Sequence, residues 1–466
     1  EVGGNVEDQS LKGYEGPYRI HGTNDARELP QDLLERICED DEIIYKDPEN
    51  ALHAVRKGFA EEIIHNPKIR AEVRSVYKDF AVISVTITEK GRSIIDSFSP
   101  YAYIKYAINR TPADLVREPD VLLRMLEAEA AGLAIIKVET QDPESWFQCV
   151  YNCLKSDGLS EISDLWNAER EIVLRAAFKK LTAMVALNTK EDLRRECERL
   201  IKHQVRRAAL AKVDQAPFTP VGYDKGTKPN VLALSFGKGE FSSAVIGAFV
   251  KESGRVDEFF KGANPLSREA EDVFSTQLRE YFDKRGKPDV VAVAGFSPHT
   301  KKLFDAVRNV IANNSIMAEG QNDDSVSQLI PVIYGQDEVA RLFQNSERAK
   351  IEFSDKPTIA KYCVAVARYL QSPLLEYIAL EEDVQLLTFG ENQKLILKDL
   401  VAQALETVFV DIVNMVGVEI NEALRDSYVA KAMSYVAGLG PRKALGLLRN
   451  INALGGLLAL RSDLIE

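Results

Sequence analysis

The sequence predicts a multidomain protein that is mainly α-helical and contains one α/β domain. The chain has 466 residues, which at about 150 residues per domain suggests roughly three domains. Apolar residues recur at helical spacing in the N-terminal and C-terminal thirds of the chain. Short apolar and β-branched segments lie between residues 231 and 335 instead, and they predict strands.

The composition is that of a globular protein with an acidic surface. Hydrophobic residues make up 45% and charged residues 28%, and the formal net charge is -12. This charge excludes a uniformly basic nucleic-acid binder, but it allows local basic patches and a basic partner such as a histone. The five cysteines are few and odd in number, which favours a reducing compartment. The apolar runs are too short to span a bilayer, so we expect no membrane partner.

The N-terminal part divides into a polar arm, residues 1–28, and a helical region, residues 29–214. Two alternating segments within the helical region, Ala81 to Thr88 and Ala131 to Thr140, predict a small inserted sheet. Two long helices should follow between residues 161 and 213, with a break at Asn188 and Thr189.

The second of these long helices is rich in cations. A solvated face is the simpler interpretation, and a face that meets nucleic acid or an acidic partner is the alternative. The cations are Arg194, Arg195, Arg199, Lys202, His203, Arg206, Arg207 and Lys212.

A linker, residues 215–230, separates this region from the α/β domain, residues 231–357. The linker holds three prolines and two glycines. After it the predicted order is β-β-β-α-β-α-β, in which the near-continuous apolar run Asp289 to Gly295 suits a strand buried on both faces. This order predicts a mixed sheet with helices packed on it.

The last region, residues 358–466, is helical and contains the segment VAGLGPRKALGLL, Val436 to Leu448. A helix, a Gly-x-Gly turn and a second helix that starts at a proline predict a helix-hairpin-helix. Glycine lets a backbone approach a phosphate closely, and the next helix offers unpaired N–H groups and adjacent cations. The predicted DNA-binding residues are Gly438, Leu439, Gly440, Arg442 and Lys443.

A plain turn between two helices, in which glycine only ends the first helix, is the alternative interpretation of the same segment. Such a hairpin would have no phosphate role, and the chain would then be a platform for protein partners alone. Local sequence does not decide between the two. Phosphate contacts would position a duplex without reading its bases.

Four stretches of the sequence resemble the core of the Tex family. Within that family the resemblance is to eukaryotic transcription elongation factors that act as histone chaperones. The stretches are YVAGLGPRKALGLL (435–448), ALETVFVDIVNMVGVEIN (404–421), ARYLQSPLLEYIAL (367–380) and YGQDEVARLFQNSERAKIEF (334–353).

The resemblance implies a helix-turn-helix region, a ribonuclease-H-like (YqgF) domain and helix-hairpin-helix motifs. It implies a nuclear protein whose partners are DNA, histones and nucleosomes, RNA polymerase II and elongation factors, with RNA as a further ligand. Family members continue into death-like, OB-fold and phosphopeptide-binding domains that this sequence lacks, so we expect a core fragment.

A metal-dependent nuclease of the ribonuclease-H-like class is the competing function. Such enzymes need carboxylates from neighbouring strands that converge on divalent ions. Here Ser235 stands where the first strand should supply an Asp, and the fourth strand ends at Phe296 without a carboxylate. Asp337 and Glu338 follow the fifth strand, Glu347 lies further on, and Glu240 is five residues past Ser235. One such cluster cannot hold a two-metal site. We therefore expect no enzyme, no metal and no cofactor.

Overall fold

The computed structural model describes residues 29–38, 47–156, 158–220, 222–224, 226–240, 243–317 and 329–453. The predicted polar arm, residues 1–28, lies outside them, as do residues 454–466. The chain divides into two compact units, Glu1–Ile201 and Lys202–Glu466. Within the described ranges, none of the helices combines the length and apolar character that a membrane span requires.

A two-stranded sheet lies among the helices of the first unit. Strands β1 (Ala81–Ile87) and β2 (Ala134–Thr140) pair antiparallel over their whole length, which confirms the small inserted sheet. A 3₁₀ helix spans Ala102–Tyr106. The helices are α1 (Pro30–Cys38), α2 (Pro48–His65), α3 (Pro67–Phe80), α4 (Glu89–Ile94), α5 (Pro112–Arg117), α6 (Pro119–Ala130) and α7 (Pro143–Leu154).

An aromatic cluster forms the centre of the first unit. Trp146 on α7 is fully buried, with ring centroids 4.9 Å from Tyr77 and 4.0 Å from Phe178. Phe147 contacts Phe178 edge to face. Aromatic side chains bury a large apolar area each, so this cluster packs α3 and α7 against the helix that carries Phe178.

Helix α8 (Glu161–Val213) is continuous over 53 residues, so the predicted break at Asn188 and Thr189 is wrong. Thr189 is fully buried and lies in a stripe of buried residues spaced four apart. Packing of that stripe outweighs the weak helix-breaking signal of Asn and Thr, because tertiary contacts override intrinsic propensity. The stripe consists of Leu181, Val185, Thr189, Leu193, Cys197, Ile201, Val205, Ala209 and Val213.

A five-stranded mixed sheet is the centre of the second unit. Its spatial order is β5-β4-β3-β6-β7, with β3, β4 and β5 antiparallel and with β6 and β7 parallel to β3. Together with the intervening helices, this confirms the predicted β-β-β-α-β-α-β order. The elements are β3 (Val231–Ser235), β4 (Val245–Val250), β5 (Val256–Gly262), α9 (Arg268–Arg285), β6 (Val290–Val293), α10 (Thr300–Asn313) and β7 (Val332–Tyr334).

Helices cover both faces of this sheet. Leu232 and Leu234 of β3 point toward α9 and α10, whereas Val231 and Ala233 pack against α13 (Thr358–Gln371). Between β7 and α13 lie α11 (Glu338–Phe343) and α12 (Glu347–Glu352).

Helix α13 therefore completes the core of the α/β domain, although it begins one residue after the boundary predicted at residue 357. Its sequence is apolar on most sides and resembles that of a helical-bundle core. Its packing partner was not visible in the sequence, because periodicity shows that a helix face is buried but not against which element.

The remaining helices confirm the predicted helical character of the last region up to residue 453. Helix α14 (Pro373–Ile378) restarts the chain at a proline directly after α13. Helix α15 (Lys398–Val416) ends at Gly417, whose φ of 86° suits glycine. Two short helices, α16 (Ile420–Arg425) and α17 (Ser427–Ala432), lead to α18 (Gly440–Ala453).

Candidate nucleic-acid interface

The hairpin consists of α17, a 3₁₀ turn at Met433–Tyr435, a tight loop and α18. Gly438 and Gly440 adopt the left-handed conformation, with φ of 83° and 61°. Among the described residues, nothing lies within 4 Å of the position that a Cβ would take at either glycine. The two glycines are thus required by backbone conformation, and the space beside them is open.

One side chain of a preceding helix supports the loop through hydrogen bonds, and this role was not predicted from the sequence. Asn414 of α15 donates a hydrogen bond to the Tyr435 carbonyl (3.1 Å) and accepts one from the Ala437 amide (2.9 Å). An asparagine in the last turn of a helix gives no signal of such a role, because the contact joins residues more than twenty positions apart. Leu439 packs on the apolar cluster around Val429 and so fixes the tip of the loop.

The two predicted phosphate-binding cations are at the start of α18. Arg442 and Lys443 are exposed, and neither forms an ion pair with a carboxylate of the described residues. Lys443 donates a hydrogen bond to the Gly438 carbonyl over 3.2 Å. This contact brings its ammonium group back over the loop, where it lies close to the two glycines. The structure thus brings all five predicted residues together at one exposed turn.

The hairpin and the helix before it, α16, contact the α/β domain and its preceding linker through ionic and aromatic groups. Lys228 pairs with Glu422 of α16 at 2.8 Å. The guanidinium groups of Arg348 and Arg368 lie 4.5 Å and 5.5 Å from the Tyr428 ring centroid. Burial raises the pKa of Tyr428 to about 12, so the ring stays neutral and its face stays available to the cations.

The carboxyl ends of the parallel strands form the place where a ribonuclease-H-like enzyme would bind its metals. Ser235 is buried there and accepts a hydrogen bond from the Gly237 amide. Phe296 follows β6, and the Arg341 guanidinium lies 5.3 Å from the centroid of its ring. Asp337 accepts hydrogen bonds from Arg341 (2.7 Å) and from the Tyr362 hydroxyl (3.1 Å).

The remaining acids do not complete a metal site. Glu338 forms an ion pair with Lys212, and Glu240 is exposed. In the part of the chain that the structure describes, no group of three or more His, Cys, Asp or Glu side chains could hold a metal ion. The Arg341 guanidinium thus lies beside Asp337 and supplies the counter-ion of its carboxylate.

Comparison with known proteins agrees with this architecture. Three family models match in order: Tex central region-like at residues 25–202, Holliday-junction resolvase-like of SPT6 at 225–381, and helix-hairpin-helix motif at 382–466. The chain belongs to the Tex-like family. The match to the second model extends past residue 357 and includes α13, in agreement with the packing of that helix on the sheet.

The family assignment is supported by relatives that match nearly the whole chain. Transcription elongation factor SPT6 of Debaryomyces hansenii is 67% identical over 474 residues, which cover 100% of this chain and 33% of that protein. The Candida albicans protein of that name is 59% identical over 469 residues, 100% of this chain and 34% of the relative. The Schizosaccharomyces pombe protein is 38% identical over 421 residues, 90% and 30% respectively. The chain thus spans about a third of the length of these curated relatives.

Most cations of α8 form ion pairs or hydrogen bonds with other residues of this Tex-like chain. Arg194 bonds to Glu191 and Glu198, and its hydrogen bond lowers the pKa of Glu191 to about 2. Further along the helix, Arg206 pairs with Asp411 at 2.7 Å. The structure therefore favours the simpler interpretation of this face, because most of its charge is neutralised by neighbouring carboxylates. The other partnered cations are Arg195 with Glu191, Arg199 with Glu196, Lys202 with Gln403 and Lys212 with Glu338.

Proposed function

We propose that the chain is the core of a nuclear, non-catalytic transcription elongation factor and histone chaperone. In this role it contacts the DNA backbone through the hairpin, while its acidic surface receives basic partners. The partners are histones and nucleosomes, RNA polymerase II and other elongation factors, with RNA as a further ligand. The elongation role is supported by the similarity of the chain to relatives that are named transcription elongation factors.

One observation carries the DNA contact. The hairpin presents two glycines in left-handed conformation next to two exposed cations that have no carboxylate partner among the described residues. Backbone amides at the start of α18 point out of the helix, because the first turn has no preceding carbonyls to bond. Amides, a helix dipole and two cations at one open turn fit a phosphate of the duplex backbone.

The contact is tested by DNA binding of the chain at increasing salt. Arg442→Glu with Lys443→Glu should lower the affinity for a mixed-sequence duplex and reduce the salt slope by about 2, because about 0.9 counterions are released for each phosphate contact. Lys301→Glu with Lys302→Glu is the matched control, since it reverses two adjacent exposed lysines on α10 and gives the same net charge. Unchanged affinity in the first variant, or equal loss in both, would contradict the hairpin site.

The absence of catalysis is tested separately. Branched DNA and RNA should stay intact in the presence of Mg²⁺ or Mn²⁺, because Asp337 is already neutralised by Arg341 and has no acidic neighbour at Ser235 or Phe296. Cleavage that disappears in the Asp337→Ala variant would establish the nuclease instead.

A further inference from the structure

Helix α18 carries three of the four cations of the hairpin, and the fourth is Lys431 of α17. The fourteen residues of α18 include Arg442, Lys443 and Arg449 and no Asp or Glu. The chain has 71 acidic residues in total, yet it has none between residues 427 and 462. The sequence of this stretch is therefore basic within an acidic protein, and the exposed cations of α18 attract a negatively charged ligand.

A glycine, Gly446, lies at the centre of the solvent-exposed outer face of α18. Ala444, Leu448 and Ile451 are buried and define the inner face of the helix. At about 100° per residue, Gly446 lies roughly opposite them and faces solvent. Its neighbours one turn away on the same outer side are all exposed and polar. They are Arg442 and Lys443 on the preceding turn and Arg449 and Asn450 on the following turn.

Neither packing nor backbone conformation among the described residues requires glycine at this position. Apart from the backbone of its own helix, no atom of the residues that the structure describes lies within 4 Å of a Cβ built on Gly446, and the φ of Gly446 is not in the left-handed region. A glycine inside a helix costs about 0.5–1 kcal/mol relative to alanine. A glycine is worth this free-energy cost where another molecule must approach the helix backbone closely. The absence of a side chain at Gly446 allows such an approach.

The surrounding cations are also free to meet a ligand. Within the described ranges neither Arg442 nor Arg449 has an ion pair or a hydrogen-bonded carboxylate, unlike the cations of α8. Lys431, on α17, differs from them because it pairs with Glu381. Unpaired arginines on a rigid helix are suited to phosphate groups, which their planar guanidinium can bind with two donors.

We propose that the outer face of α18, centred on Gly446, is a second contact surface for the sugar-phosphate backbone of duplex DNA. The proposal rests on the hairpin contact described above and extends it along the helix. Arg442 and Arg449 are seven residues apart, or about 10 Å along the helix axis, and phosphates of one strand recur about every 3.4 Å along the duplex axis. The duplex backbone would lie along α18, with a sugar against Gly446 and phosphates at the two arginines.

A rigid polyanion fits this face better than an acidic peptide does. The cations are held at fixed spacing by the helix, and a stiff duplex needs no further ordering to match them. The face is also continuous with the glycine loop, so one strand can meet the loop and the helix in the same encounter. An acidic peptide would instead lose chain entropy on binding and would gain little from the flat surface at Gly446.

Two substitutions separate the face from the loop. Gly446→Leu adds a bulky side chain without changing charge, and Arg449→Gln removes one cation outside the loop. Gly446→Leu should weaken duplex binding by about tenfold with a similar salt slope, and Arg449→Gln should weaken it severalfold and reduce the salt slope by about 1. The melting temperature of Gly446→Leu should equal or exceed that of the wild type, because leucine is a better helix former. If Gly446 had only a structural role, a variant at least as stable as the wild type would bind DNA equally well. Weaker binding by Gly446→Leu would therefore indicate a direct contact with DNA.

Matched controls exist within the chain. Gly58 of α2 is another exposed glycine in a helix with open space around it, but Glu61 and Glu62 lie one turn away. Gly58→Leu should therefore leave DNA affinity unchanged. Arg279 of α9 is exposed, and Arg279→Gln removes the same charge as Arg449→Gln. Both controls should bind DNA like the wild type.

The outcomes distinguish this proposal from the hairpin contact. If the Arg442→Glu with Lys443→Glu variant loses affinity but Gly446→Leu and Arg449→Gln bind like the wild type, the loop contact stands and the extended face is wrong. If all three variants bind like the wild type, the hairpin contact is wrong as well. Tighter binding of polyglutamate or of RNA than of duplex DNA, with the same dependence on Gly446, would assign the face to that ligand and overturn the proposal.

Discussion

The backbone of Gly254 and the hydroxyl group of Tyr428 are in direct contact, and this contact joins the α/β domain to the first helix of the hairpin. A Cβ placed on Gly254 would lie only 2.6 Å from the Tyr428 hydroxyl oxygen and 3.8 Å from the ring carbon that carries it. Gly254 also has a φ of 78°, which side chains other than glycine rarely adopt. Two separate penalties therefore oppose any side chain at this position.

A double-mutant cycle should resolve these two penalties. Gly254→Ala alone should lower the free energy of unfolding by about 2–4 kcal/mol, from left-handed strain of about 1–2 kcal/mol and the steric clash. In the Tyr428→Phe background the clash disappears with the hydroxyl group, so Gly254→Ala should cost only the strain. Denaturant titration of the four proteins gives the coupling energy. Strict additivity would show that the contact is not made in solution.

Asn414 should stabilise the glycine loop through both ends of its amide. Asn414→Ala should destabilise the protein by about 1 kcal/mol and speed hydrogen exchange at residues 435–437, because the Tyr435 carbonyl and the Ala437 amide lose their partner. Asn414→Asp is the informative control. It keeps an acceptor for the Ala437 amide and loses the donor to Tyr435, so its effect should be intermediate. Equal exchange in all three proteins would contradict this role.

The sequence contained most of the fold and part of the site. The order of strands and helices along the chain and the Gly-x-Gly turn could be predicted. Both depend on local patterns, namely the alternation of apolar residues and the preference of glycine for the left-handed conformation. The packing of α13 on the sheet and the support from Asn414 could not, since both join residues far apart in the chain. The environment of Asp337, which is neutralised by Arg341, could be predicted only in part. The missing acids at Ser235 and Phe296 were visible, whereas the guanidinium over the Phe296 ring needed the three-dimensional structure.

The pair formed by Glu352 and Arg368 should make stability depend on pH in the acid range. Arg368 is 5% exposed and bonds to Glu352 and to the Gly254 carbonyl. Burial alone would raise the pKa of Glu352, but the hydrogen bond and charge of Arg368 outweigh it and hold the pKa below its usual value. A carboxylate with a lowered pKa in the folded state contributes stability above its ordinary pKa of about 4.3, and that contribution is lost as pH falls through the folded-state pKa.

Glu352→Gln should remove this acid dependence. At neutral pH the variant should be less stable than the wild type by about 1–3 kcal/mol, because Arg368 keeps its charge without a carboxylate. The difference should begin to shrink as the pH falls below the ordinary carboxyl pKa of about 4.3, and it should be lost as the pH passes the lowered pKa of Glu352 in the folded state. Urea denaturation between pH 3 and 7 measures both effects, with Glu347→Gln as a control on the same helix at an exposed position. A difference that stays constant across this pH range would show that Glu352 is not the titrating group.

Thr189 should limit the stability of helix α8. Its side chain is fully buried, and its hydroxyl oxygen has no hydrogen-bond partner among the described residues. A buried hydroxyl group without a partner costs about 1–3 kcal/mol, and valine has nearly the same shape. Thr189→Val should therefore raise the free energy of unfolding by about 1 kcal/mol. Thr182→Val on the same helix should not, because the Thr182 hydroxyl already donates to the Phe178 carbonyl at 2.7 Å. If calorimetry shows the same change for both variants, helix propensity and not the buried hydroxyl explains it, since both substitutions replace Thr by Val within one helix.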